Sequence, residues 1–214
     1  MVEEKIDRTL IISPHMDDEV YGCSSYLKNG GANTIVLYVT AYHSLFPDGD
    51  NVRENKALAN SLNIRPLFMN PHNEQTNQLD QLGQAILIDE FEKLINQWQP
   101  KLVLIPAPSY NQDHRAVYDA ALTAMRPHDK IHFVNCILLY EQPETFGALR
   151  KPEAFCPNYY RELDLGFKLK LMGIYQSQMR GHRTANHVEA IARVRGMQAN
   201  MEFAEAFEVV RWVE

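Results

Sequence analysis

Residues 10–31 read LIISPHMDDEVYGCSSYLKNGG and predict a strand, a loop and a helix in that order. The apolar run that opens this stretch ends at Ser13-Pro14, which is typical of a buried strand that leads into a functional loop. From Asp17 to Lys28, apolar residues recur at helical spacing, acidic residues occupy the first turn, and two glycines follow. The stretch therefore predicts one strand-loop-helix unit.

The same alternation of strand and helix continues along the chain. Further strands are predicted at 34–39, 66–69, 102–105, 133–140 and 207–213, and further helices at 52–62, 82–98, 115–126, 165–179 and 187–197. Residues 141–158 contain three prolines and predict a long loop. Parallel neighbouring strands need crossover connections, so this order predicts an α/β fold: a Rossmann-like three-layer sandwich with a mainly parallel sheet. With 214 residues, we expect a single domain over 1–214.

Composition excludes several classes of protein. The net charge is -6 and there is no basic run, so no nucleic acid partner is expected. No apolar run approaches the ~20 residues that span a bilayer, and the acidic first residues do not form a targeting signal. We therefore expect a cytoplasmic protein. A dinucleotide cofactor is disfavoured because no Gly-x-Gly-x-x-Gly follows the first strand.

Metal-binding side chains cluster after two predicted strands. His15, Asp17 and Asp18 follow the first strand, and His114 follows the strand at 102–105. Side chains in loops at the carboxyl edge of an open α/β sheet point into the ligand crevice. Catalytic zinc takes three protein ligands and keeps one position for water, and a carboxylate beside that water serves as general base. His15, Asp18 and His114 would supply the ligands, with Asp17 as the base.

A structural role for the same residues is the alternative. Asp17 and Asp18 at a helix start would stabilise the free N–H groups there without any metal. A single His that opens a helix, such as His114, is more often a surface or capping residue than a ligand. The residues alone leave both interpretations open.

Longer strings resemble a known family. Residues 14–19, PHMDDE, resemble the PHPDDE signature of the LmbE-like, or PIG-L, family of zinc-dependent N-deacetylases. Residues 113–117, DHRAV, resemble the end of its second signature, HPDHxAV. The resemblance continues through Tyr140-Glu141, Ser177-Gln178, Arg195-Gly196 and an Ala-Glu-Ala-Phe ending at Phe207. It therefore covers nearly the whole chain in the family's order.

The resemblance implies a function and a set of roles. His15, Asp18 and His114 would bind Zn²⁺, and Asp17 would take a proton from zinc-bound water that attacks an acetamide. The expected substrate is a small N-acetylated sugar or glycoconjugate, GlcNAc-like. Fe²⁺ is a second metal that the same ligands accept. Members of the family often form homo-oligomers, so the resemblance also allows a homo-oligomer here, although the sequence itself indicates no interface.

One departure affects the proton that the leaving amine needs. Asn111 stands where the family has the first His of HPDH, and an amide cannot supply a proton near neutral pH. Three alternatives are open: Asp17 returns its proton; Tyr140, His128 or His182 substitutes; or turnover is lost. Rival functions are accordingly a non-catalytic sugar- or metal-binding homologue and a zinc hydrolase of another amide.

Two further residues are predicted near the site. Asp113 is either a carboxylate that orients His114 or a helix N-cap. Arg53 opens a helix after a polar loop, where it would bind substrate hydroxyls or form a surface ion pair of little energetic value.

Overall fold

The computed structural model describes residues 8–40, 50–69, 78–127, 129, 131–144 and 155–214. Strands and helices alternate through most of this part of the chain. The strands are β1 (Thr9–Ser13), β2 (Thr34–Tyr38), β3 (Arg65–Phe68), β4 (Leu102–Pro106), β5 (Cys136–Tyr140), β6 (Tyr159–Glu162) and β7 (Ala204–Trp212). The helices are α1 (Asp18–Gly30), α2 (Asp50–Leu62), α3 (Gln84–Trp98), α4 (Gln112–Ala124), α5 (Leu165–Met172) and α6 (Ala185–Ala199).

All seven strands form one sheet in the order β3-β2-β1-β4-β5-β7-β6. The first five are parallel, and β7 runs antiparallel to both β5 and β6. The expected α/β class with a mainly parallel sheet is confirmed. The chain leaves β1 toward β2 and later returns to the other side of β1 as β4, so the connections diverge between β1 and β4. Ligands of open α/β sheets bind at such a switch point.

Helices cover both faces of the sheet. Leu10 and Ile12 of β1 point to one face and pack with Phe91 of α3 and Val117 of α4. Ile11, on the opposite face, packs in a second cluster with residues of α1, α2, α5 and α6. Alternate side chains of a buried parallel strand thus enter two separate cores, which gives the predicted three layers. No helix in the described ranges is long and apolar enough to cross a membrane.

Two elements differ from the prediction. β6 directly follows the stretch predicted as a loop and was not predicted as a strand. It is an edge strand with half-buried or exposed residues, and within the described part of the chain it pairs only with β7. Its side chains therefore show no clear burial pattern. The helix predicted at 165–179 ends at Met172, capped by Gly173, and only a short 3₁₀ turn, Gln176–Gln178, follows.

Helix α1 is broken at Cys23, whose backbone angles are φ -134° and ψ 21°. The break leaves backbone N–H groups without partners inside the helix, and the carboxylate of Glu205 in β7 accepts hydrogen bonds from them. Its Oε1 takes the N–H of Ser24 at 3.0 Å and its Oε2 takes the N–H of Ser25 at 2.8 Å. The Glu205 carboxylate thereby caps the second half of α1 from inside the protein.

Lys168 of α5 completes this arrangement. Its Nζ lies 2.7 Å from Glu205 Oε1 and donates to the carbonyl of Tyr21 at 2.5 Å, so the first half of α1 is also capped. The same half packs tightly on the sheet, because a Cβ at Gly22 would lie 2.2 Å from the Tyr140 ring. These contacts fix the helix whose first turn carries the candidate site.

Candidate metal centre and active site

The three predicted ligands meet at the carboxyl ends of β1 and β4. Asp18 Oδ2 lies 3.3 Å from His15 Nδ1 and 3.3 Å from His114 Nε2. The Asp18 and His114 side chains are fully buried, and that of His15 is 18% exposed. One ligand atom from each residue lies within 4.8 Å of the other two. The structure therefore brings the predicted set together.

Asp113 contacts the His15 imidazole at the nitrogen that faces away from Asp18. Its Oδ2 lies 2.9 Å from His15 Nε2, and its Oδ1 accepts the N–H of Leu79 at 2.9 Å. The expectation that Asp113 orients His114 is corrected, because successive helical residues point about 100° apart. The contact leaves Nδ1 as the nitrogen that His15 presents to Asp18.

The second imidazole is held by residues that the sequence did not indicate. His114 Nδ1 lies 3.1 Å from Glu144 Oε1 and 3.2 Å from Ser109 Oγ, and Ser109 Oγ donates to Glu144 at 2.8 Å. His114 therefore presents Nε2 to Asp18. In metal sites, ligating imidazoles are commonly tied in this way through their second nitrogen.

Several buried polar atoms at the site have no hydrogen-bond partner among the described residues, and they indicate whether a metal ion fits there. In the described part of the chain, no hydrogen bond reaches the buried atoms His114 Nε2, Asp18 Oδ1 or Asp17 Oδ1. Such groups are rare in native structures and call for a missing partner such as an ion or water. Two imidazole nitrogens and a carboxylate also match the ligand types of catalytic zinc and related divalent metals. The residues present fit a metal ion.

Protonation in the metal-free state follows from the same contacts. Burial opposes charge on His15, but its hydrogen bonds with Asp113 and Asp18 prevail and raise its pKa to about 10. Burial likewise opposes ionisation of Asp18, while its interactions with His114 and His15 hold its pKa well below the usual value. Without a metal, a proton on His15 balances the buried carboxylates.

The Asp17 side chain does not cap helix α1. Asp17 occupies the N-cap position of α1, but its side chain makes no capping hydrogen bond. Its φ is 141°, a strained value for a residue with a side chain. Its buried carboxylate lies 2.7 Å from Arg183. Burial raises the pKa of Asp17, and the Arg183 charge opposes this shift.

The Glu19 side chain hydrogen-bonds to the strained backbone of Asp17. Its Oε2 accepts the N–H of Asp17 at 3.1 Å and the hydroxyl of Ser13 at 3.1 Å. Its Oε1 accepts the hydroxyls of Tyr38 at 3.0 Å and Tyr175 at 2.9 Å. Burial raises the pKa of Glu19 to about 7 despite these donors. The last residue of PHMDDE thus holds the loop that carries the other candidates.

Asn111 is the helix N-cap of α4, where its Oδ1 accepts the N–H of Asp113 at 2.9 Å. Tyr140 lies in the core with no exposed surface, and its hydroxyl donates to the carbonyl of Ile12 at 2.9 Å. The expectation that Tyr140 supplies the proton is corrected, because its side chain is fully buried and its ring packs beneath Gly22 of α1.

Three other expectations stay predictions. His128 and the side chain of His182 lie outside the described residues. Arg53 is exposed in the first turns of α2, and substrate binding by this residue stays a prediction.

Sequence reasoning missed Arg183, Glu144 and Ser109. Arg183 lies in a short 3₁₀ turn, and Glu144 lies in the stretch predicted as a loop. Neither position has a local pattern that marks it. Proximity to His114 was the one available signal for Ser109, five residues before it.

Fold and site together define an α/β protein with a candidate three-ligand metal centre at the switch point of its sheet. The family model of PIG-L, described as GlcNAc-PI de-N-acetylase, matches residues 10–125, more than half of the chain. The chain belongs to the PIG-L family. No curated protein sequence matches it significantly.

Solved structures with the same fold include two deacetylases. N,N'-diacetylchitobiose deacetylase from Pyrococcus horikoshii is 18% identical with a TM-score of 0.73, over 95% of this chain and 84% of that one. The zinc-inhibited form of teicoplanin deacetylase Orf2 is 20% identical with a TM-score of 0.69, over 94% of this chain and 96% of that one.

A third neighbour catalyses another reaction. The 4-carboxy-2-hydroxymuconate hydratase GalB from Pseudomonas putida is 17% identical with a TM-score of 0.70, over 97% of this chain and 98% of that one. At these identities the likeness establishes the fold, and the reaction has to be argued from the site.

Proposed function

We propose that this protein is a metal-dependent N-deacetylase that hydrolyses the acetamide of a small GlcNAc-like sugar conjugate. The observation that carries the proposal is the buried His15-Asp18-His114 cluster, with unsatisfied ligand atoms, beside the carboxylate of Asp17. Membership of a family described as a de-N-acetylase supports amide hydrolysis as the reaction. Zinc is the proposed metal, and Fe²⁺ is the alternative with the same ligands.

The ligands and the base would have separate tasks. His15, Asp18 and His114 would hold the metal, which when bound supplies Lewis acidity to a carbonyl and lowers the pKa of water. Asp17 accepts a proton from the attacking water at Oδ1, the oxygen that no hydrogen bond reaches. Glu19 keeps Asp17 in place through the backbone N–H at 3.1 Å.

The second half of the reaction needs a proton donor. The C–O bond to water forms, the C–N bond breaks, and the departing amine must be protonated. Asn111 cannot donate a proton, and it is engaged at the start of α4. Tyr140 is buried under α1. We assign the proton to Asp17, which has just received one from water, so that the products are acetate and a free amine.

The experiment that tests the function is acetate release from a panel of UDP-GlcNAc, GlcNAc-inositol, simple GlcNAc glycosides and non-sugar acetamides. Metal-stripped protein is reconstituted with zinc and compared with Asp17→Asn and with Asp80→Asn, an exposed aspartate as matched control. We expect zinc-dependent release that Asp17→Asn abolishes and Asp80→Asn preserves.

Other results select the rival functions. Release from the non-sugar acetamides alone would replace the sugar substrate with another amide. Stoichiometric zinc binding with no release from any compound would reject the deacetylase and favour a binding homologue that lacks the family His at Asn111.

A further inference from the structure

Arg183 reaches the site from the far end of the chain. It ends the 3₁₀ turn Gly181–Arg183, between α5 and α6. Its Nη1 lies 2.7 Å from Asp17 Oδ2, and its Nη2 lies 3.4 Å from Glu144 Oε2. The Arg183 and Glu144 side chains are each 16% exposed, so both ion pairs are largely shielded from water. Shielded pairs of this kind are screened much less by salt than surface pairs.

The position of Arg183 is set by more than its charge. The hydroxyl of Tyr21 donates to the backbone carbonyl of Arg183 at 3.2 Å. The guanidinium carbon also lies 5.4 Å from the centre of the Tyr21 ring, within the range of a cation–π contact. Tyr21 belongs to the first half of α1, so the helix that carries Asp18 also anchors Arg183.

These contacts make the two carboxylate oxygens of Asp17 unequal. Oδ2 is occupied by the guanidinium, whereas Oδ1 is buried with no hydrogen bond in the described structure. The two carboxylate oxygens of Glu144 also have different partners. Oε2 faces Arg183, and Oε1 lies 3.1 Å from His114 Nδ1. Arg183 therefore touches both the candidate base and the carboxylate that orients a candidate ligand.

We propose that Arg183 is a positioning residue of the active site, which holds Asp17 by Oδ2 so that Oδ1 receives the proton, and which holds Glu144 against His114. This inference rests on the proposed function. Arg183 also brings a permanent positive charge to a site where Asn111 stands in place of the family His. A guanidinium stays protonated, so it contributes orientation and charge while the proton itself moves through Asp17.

The test compares Arg183→Gln and Arg183→Lys with Arg180→Gln, an exposed arginine of the same segment. The readouts are kcat and KM on the best panel substrate, and zinc affinity by competition with a chromophoric chelator. For Arg183→Gln we expect kcat to fall about 100-fold with KM nearly unchanged, because misplacing a catalytic group by about 1 Å costs that much. Zinc affinity is expected to change less than about 10-fold, the lower bound for loss of a direct orienting partner.

Arg183→Lys separates charge from geometry. A single ammonium cannot hold two carboxylates in the fork geometry of a guanidinium, so we expect kcat to remain at least about 10-fold low. Arg180→Gln should match wild type. Full kcat in Arg183→Lys or Arg183→Gln would overturn the proposal, and the Lys variant decides if the Gln variant does not fold.

A measurement without turnover keeps this proposal distinct from the function. Melting temperatures of the metal-free protein are compared for Arg183→Gln, Asp17→Asn and the double variant. Because the two side chains are paired, the double variant should lose less than the sum of the single losses. Additive losses would overturn the pairing even if a substrate is found, whereas a non-additive result with no deacetylation on any substrate would reject the function alone.

Discussion

Lys168 and Glu205 together form a buried clamp on the two halves of helix α1. Replacing Lys168 with Met tests this clamp. The Lys168 side chain is 5% exposed, and its Nζ contacts Glu205 and the carbonyl of Tyr21. The Met variant keeps most of the side-chain volume but leaves the Glu205 carboxylate buried without its cation. Breaking a buried ion pair from one side costs about 3–5 kcal/mol in the free energy of unfolding. The melting temperature should fall by about 6–20 °C, at roughly 2–4 °C per kcal/mol for a chain of this size.

The assay is urea unfolding followed by circular dichroism, with a thermal melt of the same samples. Lys170→Met is the matched control, since Lys170 is exposed on the same helix and should change stability by less than about 0.5 kcal/mol. Adding Glu205→Gln to Lys168→Met should recover part of the loss, because the buried charge is then gone. A loss below about 1 kcal/mol for Lys168→Met would refute the reasoning.

Three further perturbations probe the site and its support. Asp113→Ala removes the partner of His15 Nε2 and should weaken zinc binding about 10- to 100-fold in a chelator competition, while Asp119→Ala, exposed on the same helix, should not. Gly22→Ala places a methyl group 2.2 Å from the Tyr140 ring and should lower the free energy of unfolding by at least about 1–3 kcal/mol, unlike Gly83→Ala in open space. Zinc binding at pH 8 should release a proton from His15, whose pKa is raised to about 10, as measured by calorimetry in buffers of different ionisation enthalpy.

Each of these predictions has a contradicting result. Equal zinc affinity in the Asp113 variant would mean that its contact with His15 does not matter for the metal. Unchanged stability of Gly22→Ala would mean that the Tyr140 ring moves freely. For His15 the sign is fixed: its pKa rises on folding, so its stabilisation of the metal-free protein is complete below about pH 6.5 and is lost as pH rises toward 10. A metal-free protein that becomes more stable across this range would contradict the assignment.

The parallel part of the fold was predictable because its strands are apolar runs separated by helical patterns. β1 illustrates this, since its buried residues alternate between two cores while all remain apolar. β6 was not predictable in the same way, because an edge strand paired on one side imposes little burial pattern on its residues. Its register depends on β7, which follows more than forty residues later.

The candidate ligands were predictable because they lie in short strings directly after β1 and close after β4. Their supporting partners were not. Arg183 meets Asp17 across 166 residues of sequence, and no local pattern encodes that distance. Adjacency in sequence also gave a wrong prediction. Asp113 is next to His114 in sequence, but it contacts His15, 98 residues away.

The clamp on α1 also has a consequence for the order of folding. Tyr21 and Ser24 receive their caps from Lys168 and Glu205, at sequence separations of 147 and 181 residues. Contacts this distant carry a large loop-closure entropy and form slowly. We expect the broken helix to reach its final shape only after β7 has inserted between β5 and β6. A kinetic intermediate that already has β1, β2 and β4 paired would therefore hold the proposed metal weakly, and binding of that metal would report the final step of folding.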